Sequence, residues 1–93
     1  MAMKPGRKLV EEGAAACTDA EILALLLGSG GAGYSAEDAA RELLERFGSL
    51  AGIMDRPLQE LATVRGIKAV RAIRIAAAYE LACRIIRHVE RNT

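Results

Sequence analysis

LATVRGIKAVRAIRIAAAYEL, residues 61–81, decides the fold. Leu61, Ala62 and Val64 close a short apolar helix. Arg65-Gly66-Ile67-Lys68 makes a tight turn, and an Ala-rich helix follows. Ala is the strongest helix former and is depleted in strands, so the stretch reads as helix–turn–helix. Arg65, Lys68 and Arg71 crowd the start of the second helix. Free backbone N–H groups point outward there, and cations are unfavourable unless an anion is expected.

Outward from this stretch, the same helical signals recur. Thr18-Asp19-Ala20-Glu21 is a capping box opening a helix over Asp19–Leu27, whose Ile22, Leu23, Leu25, Leu26 and Leu27 are apolar almost all round and predict a central buried element. Ser35 caps a helix over Ala36–Phe47, with Ala39, Ala40, Leu43, Leu44 and Phe47 on one side and the pairs Glu37–Arg41 and Glu42–Arg46 at i,i+4. Shorter helices are expected at Arg7–Glu12, Leu50–Met54 and Pro57–Thr63, and residues 1–4 are expected to be loose. The last helix is expected from about Ala69 to about His88, with Val70, Ile73, Ala77 and Leu81 as one apolar face. The reading is all-α, about five helices in one 93-residue domain, with little core to spare.

The net charge of +1 hides a segregation. Residues 1–63 carry six Lys/Arg against ten Asp/Glu, whereas residues 64–93 carry seven Lys/Arg against two Glu. A basic C-terminal segment suits a polyanion. Its cations form two clusters, one at the 65–74 turn and one at Arg84, Arg87 and Arg91. Gly28-Ser29-Gly30-Gly31-Ala32-Gly33 is Gly-rich, but no Lys follows it, so a nucleotide-triphosphate loop is not expected. His88 is the sole histidine, and Cys17 and Cys83 are the only cysteines. Neither metal nor cofactor is expected, and a disulfide is not. No nucleophile–base pair or carboxylate pair argues for an enzyme. The longest clean apolar run, Ile22–Leu27, cannot span a membrane, and a cytoplasmic location is expected.

Val64-Arg65-Gly66-Ile67-Lys68, with Ala72 and Ile73 beyond, resembles a helix-hairpin-helix motif with Lys68 at its second glycine. Gly66 permits the turn, Ile67 packs between the helices, and the next amides can approach a DNA phosphate. Leu27-Gly28-Ser29-Gly30 is a weaker echo, with Ser29 in place of the inward apolar residue. A degenerate first hairpin (19–47) and a second (57–88) therefore make a tandem, pseudo-duplicated unit.

Residues 18–30 (TDAEILALLLGSG), 41–50 (RELLERFGSL) and 64–67 (VRGI) resemble, in order and spacing, the N-terminal region of the bacterial RadC family associated with DNA repair. The resemblance covers about Lys4 to Arg87. It implies a fold like RuvA domain 2, association with double-stranded DNA, and a JAB-type metallo-isopeptidase-like domain C-terminal to this region. The family has Gly at position 68, where this chain has Lys. The expected function is non-sequence-specific DNA binding. Arg65, Gly66, Ile67, Lys68, Arg71 and Arg74 would make about three or four phosphate contacts, with Gly28, Ser29 and Gly30 as a possible second site. The alternative is a protein-interaction or dimerisation module, through Ile85, Ile86, Val89 and the Ile53-Met54 turn, or a structural tether for the C-terminal domain.

Overall fold

The computed structural model describes residues 3–28 and 33–92. Among the described residues six α-helices follow one another: α1 (Pro5–Glu12), α2 (Asp19–Leu27), α3 (Ala36–Phe47), α4 (Leu50–Ile53), α5 (Leu58–Leu61) and α6 (Ala69–Arg91), with a 3-10 turn at Ala14–Ala16 between α1 and α2. No strand occurs among the described residues, and the architecture is all-α.

The caps act where the sequence places them. Thr18 Oγ1 accepts from the Glu21 amide at 3.2 Å while Glu21 Oε1 accepts from the Thr18 amide at 2.8 Å, completing the capping box. The Thr18 amide, and after it the Lys8 ammonium 2.9 Å away, hold the Glu21 carboxyl below its ordinary range. Ser35 Oγ accepts from the Asp38 amide at 3.0 Å, and Ser49 Oγ from the Gly52 amide at 3.0 Å. With local caps at their starts, α2 and α3 span the residues expected of them.

Other boundaries move. Helix α5 is a single turn, Leu58–Leu61, with Pro57 outside it as N-cap. Helix α6 runs on to Arg91, three residues past the expected end. Lys4, expected to be loose, is the N-cap of α1, while Met1 and Ala2 lie outside the described residues.

Helices α2 and α3 form the most extensive pair, and α5 and α2 both pack on α6. The core is Leu23, Ala24, Leu27, Ala39, Ala40, Leu43, Ile53, Leu61, Val64, Ile67, Ala72 and Ile75. Helix α2 is buried on one side only, since Ile22 and Leu25 stay more than a third exposed. Ile53, expected on an interaction surface, is fully buried.

The largest correction concerns the rotation of α6. Val70, Ile73 and Leu81 are 51%, 56% and 61% exposed, and the inward residues are Arg71, Ala72 and Ile75. Turning Val70 and Ile73 inward would swing the Arg71 guanidinium out and strip three backbone carbonyls of their donor. Satisfying buried polar groups outweighs burying two more apolar side chains. From Glu80 to Asn92 every residue but Cys83 is exposed. This overhang raises the radius of gyration to 13.9 Å, against about 12 Å for a compact chain of this length.

Candidate nucleic-acid interface

The second turn is built from local bonds and one glycine. The Ile67 amide donates to the Val64 carbonyl at 3.0 Å, and the Val64 amide to that of Leu61 at 3.1 Å. Gly66 has φ +86°, in the left-handed region, and a Cβ there would lie 2.2 Å from Tyr34 Cδ1 and 3.0 Å from Ala39 Cβ. No other residue type fits both that backbone and that space. Ile67, 1% exposed, lies in the core cluster that also holds Leu61, Val64, Ala72 and Ile75.

Lys68 is the N-cap of α6, with extended backbone and no side-chain cap. Its carbonyl takes the Ala72 amide at 3.0 Å, so the amides of Ala69, Val70 and Arg71 have no partner within the helix. A hollow of about 350 Å³ opens beside this helix start, lined by Tyr34, Ala62, Thr63, Val64, Arg65, Gly66, Ile67 and Lys68. Arg65 and Lys68 are exposed at its rim. The Arg65 guanidinium lies 4.9 Å from the centre of the Tyr34 ring.

Arg71 and Arg74 do something else. Arg71 is 2% exposed. Its Nε and Nη2 donate to the Gly28 carbonyl at 3.2 and 2.8 Å, and its Nη1 donates to the carbonyls of Tyr34 and Gly66, each at 2.9 Å. Arg74 Nη1 donates to the Leu27 carbonyl at 2.5 Å, and its guanidinium occupies the space a Cβ on Gly28 would need. Both cations sit at the C-terminal end of α2, where unpaired carbonyls and the negative pole of the helix favour positive charge. Arg71 is therefore not available to a phosphate. A cation at a helix start has two solutions, an external anion or another helix's C-terminus, and the residues around it in sequence do not distinguish them.

The first turn differs. Ser29 and Gly30 lie outside the described residues, and the Gly28 carbonyl is taken by Arg71. The start of α3 is closed by the Ser35 cap and carries Glu37 and Asp38 in its first turn. Asp38 pairs with Arg41. That bond, then the one from Ser35, with the Arg65 charge adding, holds the Asp38 carboxyl below its ordinary range.

Tyr34 and Thr63, both lining the hollow, carry no motif signal. A tyrosine just after a glycine loop gives no hint that it meets a turn some thirty residues on. Among the described residues no group of three His, Cys, Asp or Glu could hold a metal ion, both cysteines are free thiols, and no helix is long and apolar enough to cross a membrane.

The family model described as UPF0758 N-terminal matches residues 1–73. The chain is 52% identical over 83 residues to a UPF0758 protein of Cupriavidus taiwanensis and 45% identical over 83 residues to one of Stenotrophomonas maltophilia, in each case over 89% of this chain. A UPF0758 protein of Xanthomonas euvesicatoria pv. vesicatoria is 46% identical over 81 residues, 87% of this chain. The chain spans about a third, 36%, of the length of these relatives. No solved structure matches it.

Proposed function

The chain belongs to the UPF0758 (RadC) family, and on that premise we propose that it is a DNA-binding module that holds the phosphate backbone of a duplex at its second turn without reading sequence. The observation that carries this reading is the side-chain-uncapped start of α6, flanked by exposed Arg65 and Lys68 beside an open hollow. Backbone amides and cations together are what a phosphate requires. Neither Asn nor Gln lines the hollow, so base edges have no reader of the kind that pairs with adenine. Lys68, in place of the family's glycine, adds charge where a phosphate would sit. The module would hold a JAB-type domain of the longer protein near DNA.

With Arg71 committed to carbonyls and Arg74 bonded to Leu27, two side-chain contacts remain. The slope of log K against log salt is then expected near −2, with Kd on the order of 10⁻⁴ to 10⁻⁶ M at physiological salt. Titration of a short labelled duplex from low to moderate salt tests this. Lys68→Ala and Arg65→Ala should each reduce the slope by about 1. Duplex affinity unchanged in the double variant would refute the reading.

The exposed stripe Leu81, Ile85, Ile86 and Val89 on the α6 overhang favours a second reading, a protein-interaction or dimerisation module. Sedimentation of the domain at high concentration separates the two, a monomer counting against self-association.

A further inference from the structure

We infer that Tyr34, from the first hairpin, is a positioning residue that holds the Arg65 guanidinium of the second turn ready for phosphate; the inference rests on the phosphate-binding reading of that turn.

The Tyr34 ring is fixed at several points. Its hydroxyl donates to Glu42 Oε1 at 3.4 Å, and its backbone carbonyl is held by Arg71 Nη1 at 2.9 Å. Its edge fills the space that any residue but glycine would claim at position 66. Over this ring lies Arg65, its Cζ 4.9 Å from the ring centre.

Among the described residues Arg65 makes no hydrogen bond and no ion pair, so its N–H donors stay available to phosphate oxygens while its face is held by the ring. The other two stacked arginines, Arg46 and Arg56, share the Phe47 ring, and Arg56 spends its donors on the Gly52 carbonyl and Glu60. An unrestrained arginine loses rotamer freedom on binding, and a pre-ordered one loses less. The Arg65 charge also reaches the Asp38 carboxylate, a minor contribution to its lowered value.

The test has two arms. In the DNA-free protein, proton NMR should show the Arg65 δ-methylene resonances displaced upfield by the ring current in the wild type and in Tyr34→Phe, and relaxed toward free-arginine values in Tyr34→Leu. In duplex titrations, Tyr34→Leu should weaken binding by about 2- to 5-fold, the worth of an exposed cation–π contact. Tyr34→Phe should stay near wild type, and Tyr34→Leu should cost nothing further once Arg65 is Ala.

Free-arginine shifts in the wild type would overturn the inference without any variant having to fold. An equal loss from Tyr34→Leu with and without Arg65 would overturn it too, by assigning the ring a purely structural role. A wild type that shows the ring-current shift but binds no duplex would support the Tyr34–Arg65 placement and sink the DNA-binding reading instead.

Discussion

The two turns of this molecule share a plan and end in opposite states. Each joins two helices through a glycine with positive φ, Gly28 in the first and Gly66 in the second. At the first, the following helix starts behind a serine cap and two carboxylates, and the preceding helix's end is taken by Arg71 and Arg74. At the second, the following helix starts with Lys68 and no side-chain cap. The difference lies less in net charge than in which backbone groups are already satisfied. An amide with a partner has nothing to offer a phosphate, and a carbonyl without one attracts the nearest guanidinium.

Arg71 joins the turns, and its removal breaks the comparison most severely. Arg71→Met should leave the carbonyls of Gly28, Tyr34 and Gly66 without their shared donor. A loss of roughly 3–5 kcal/mol is expected, lowering Tm by about 12 °C or more in circular-dichroism melts. A drop of only a degree or two would mean that water replaces the guanidinium easily. Gly66→Ala comes next, at about 2 kcal/mol in urea unfolding, because it forces an L residue into the left-handed region and against the Tyr34 ring. In a Tyr34→Ala background the clash with the ring is gone, and the backbone cost, about 1 kcal/mol, should remain together with the close approach to Ala39 Cβ.

Ser35→Ala sharpens the comparison from the other side. It should cost about 1 kcal/mol of stability by opening the start of α3, yet leave duplex affinity unchanged. Weaker binding in this variant would make the first turn the working one.

The smallest effect concerns acid. The Asp38 carboxyl is held below the ordinary Asp value of 3.8 by Arg41 and Ser35. A depressed carboxylate stabilises the fold above its unfolded value, and that contribution disappears as pH falls through the depressed one. Asp38→Asn should therefore flatten the decline of Tm between about pH 5 and pH 2. A decline as steep as the wild type's would place the acid sensitivity elsewhere, at Glu21 for example, whose carboxyl is also depressed.

The elements legible in advance are those whose determinants are local. Thr18 with Glu21, and Ser35 with the Asp38 amide, lie three residues apart, so α2 and α3 could be bounded from the chain alone. Gly66 and Ile67 were readable for the same reason, since a tight turn writes its requirements into consecutive residues. The exposed cations of the second turn were legible too, since Arg65 and Lys68 follow from the turn itself.

Arg71 was not. Its partners at Gly28 and Tyr34 are 43 and 37 residues away, and only folding shows that the carbonyls there are short of donors. The rotation of α6 escaped for a related reason. Val70, Ile73, Ala77 and Leu81 form an apolar stripe by spacing, but spacing does not say which side of a helix the rest of the protein will occupy.

By itself, then, the sequence determined an all-α chain, its two glycine turns, the starts of its main helices and a basic C-terminal segment, because propensity, capping and charge act over a few residues. The tertiary structure alone decided which face of α6 turns inward, that two of four turn cations serve the end of α2, and that Tyr34 meets Arg65. Those outcomes depend on buried carbonyls finding donors across the fold, and no local pattern records where the shortage will fall.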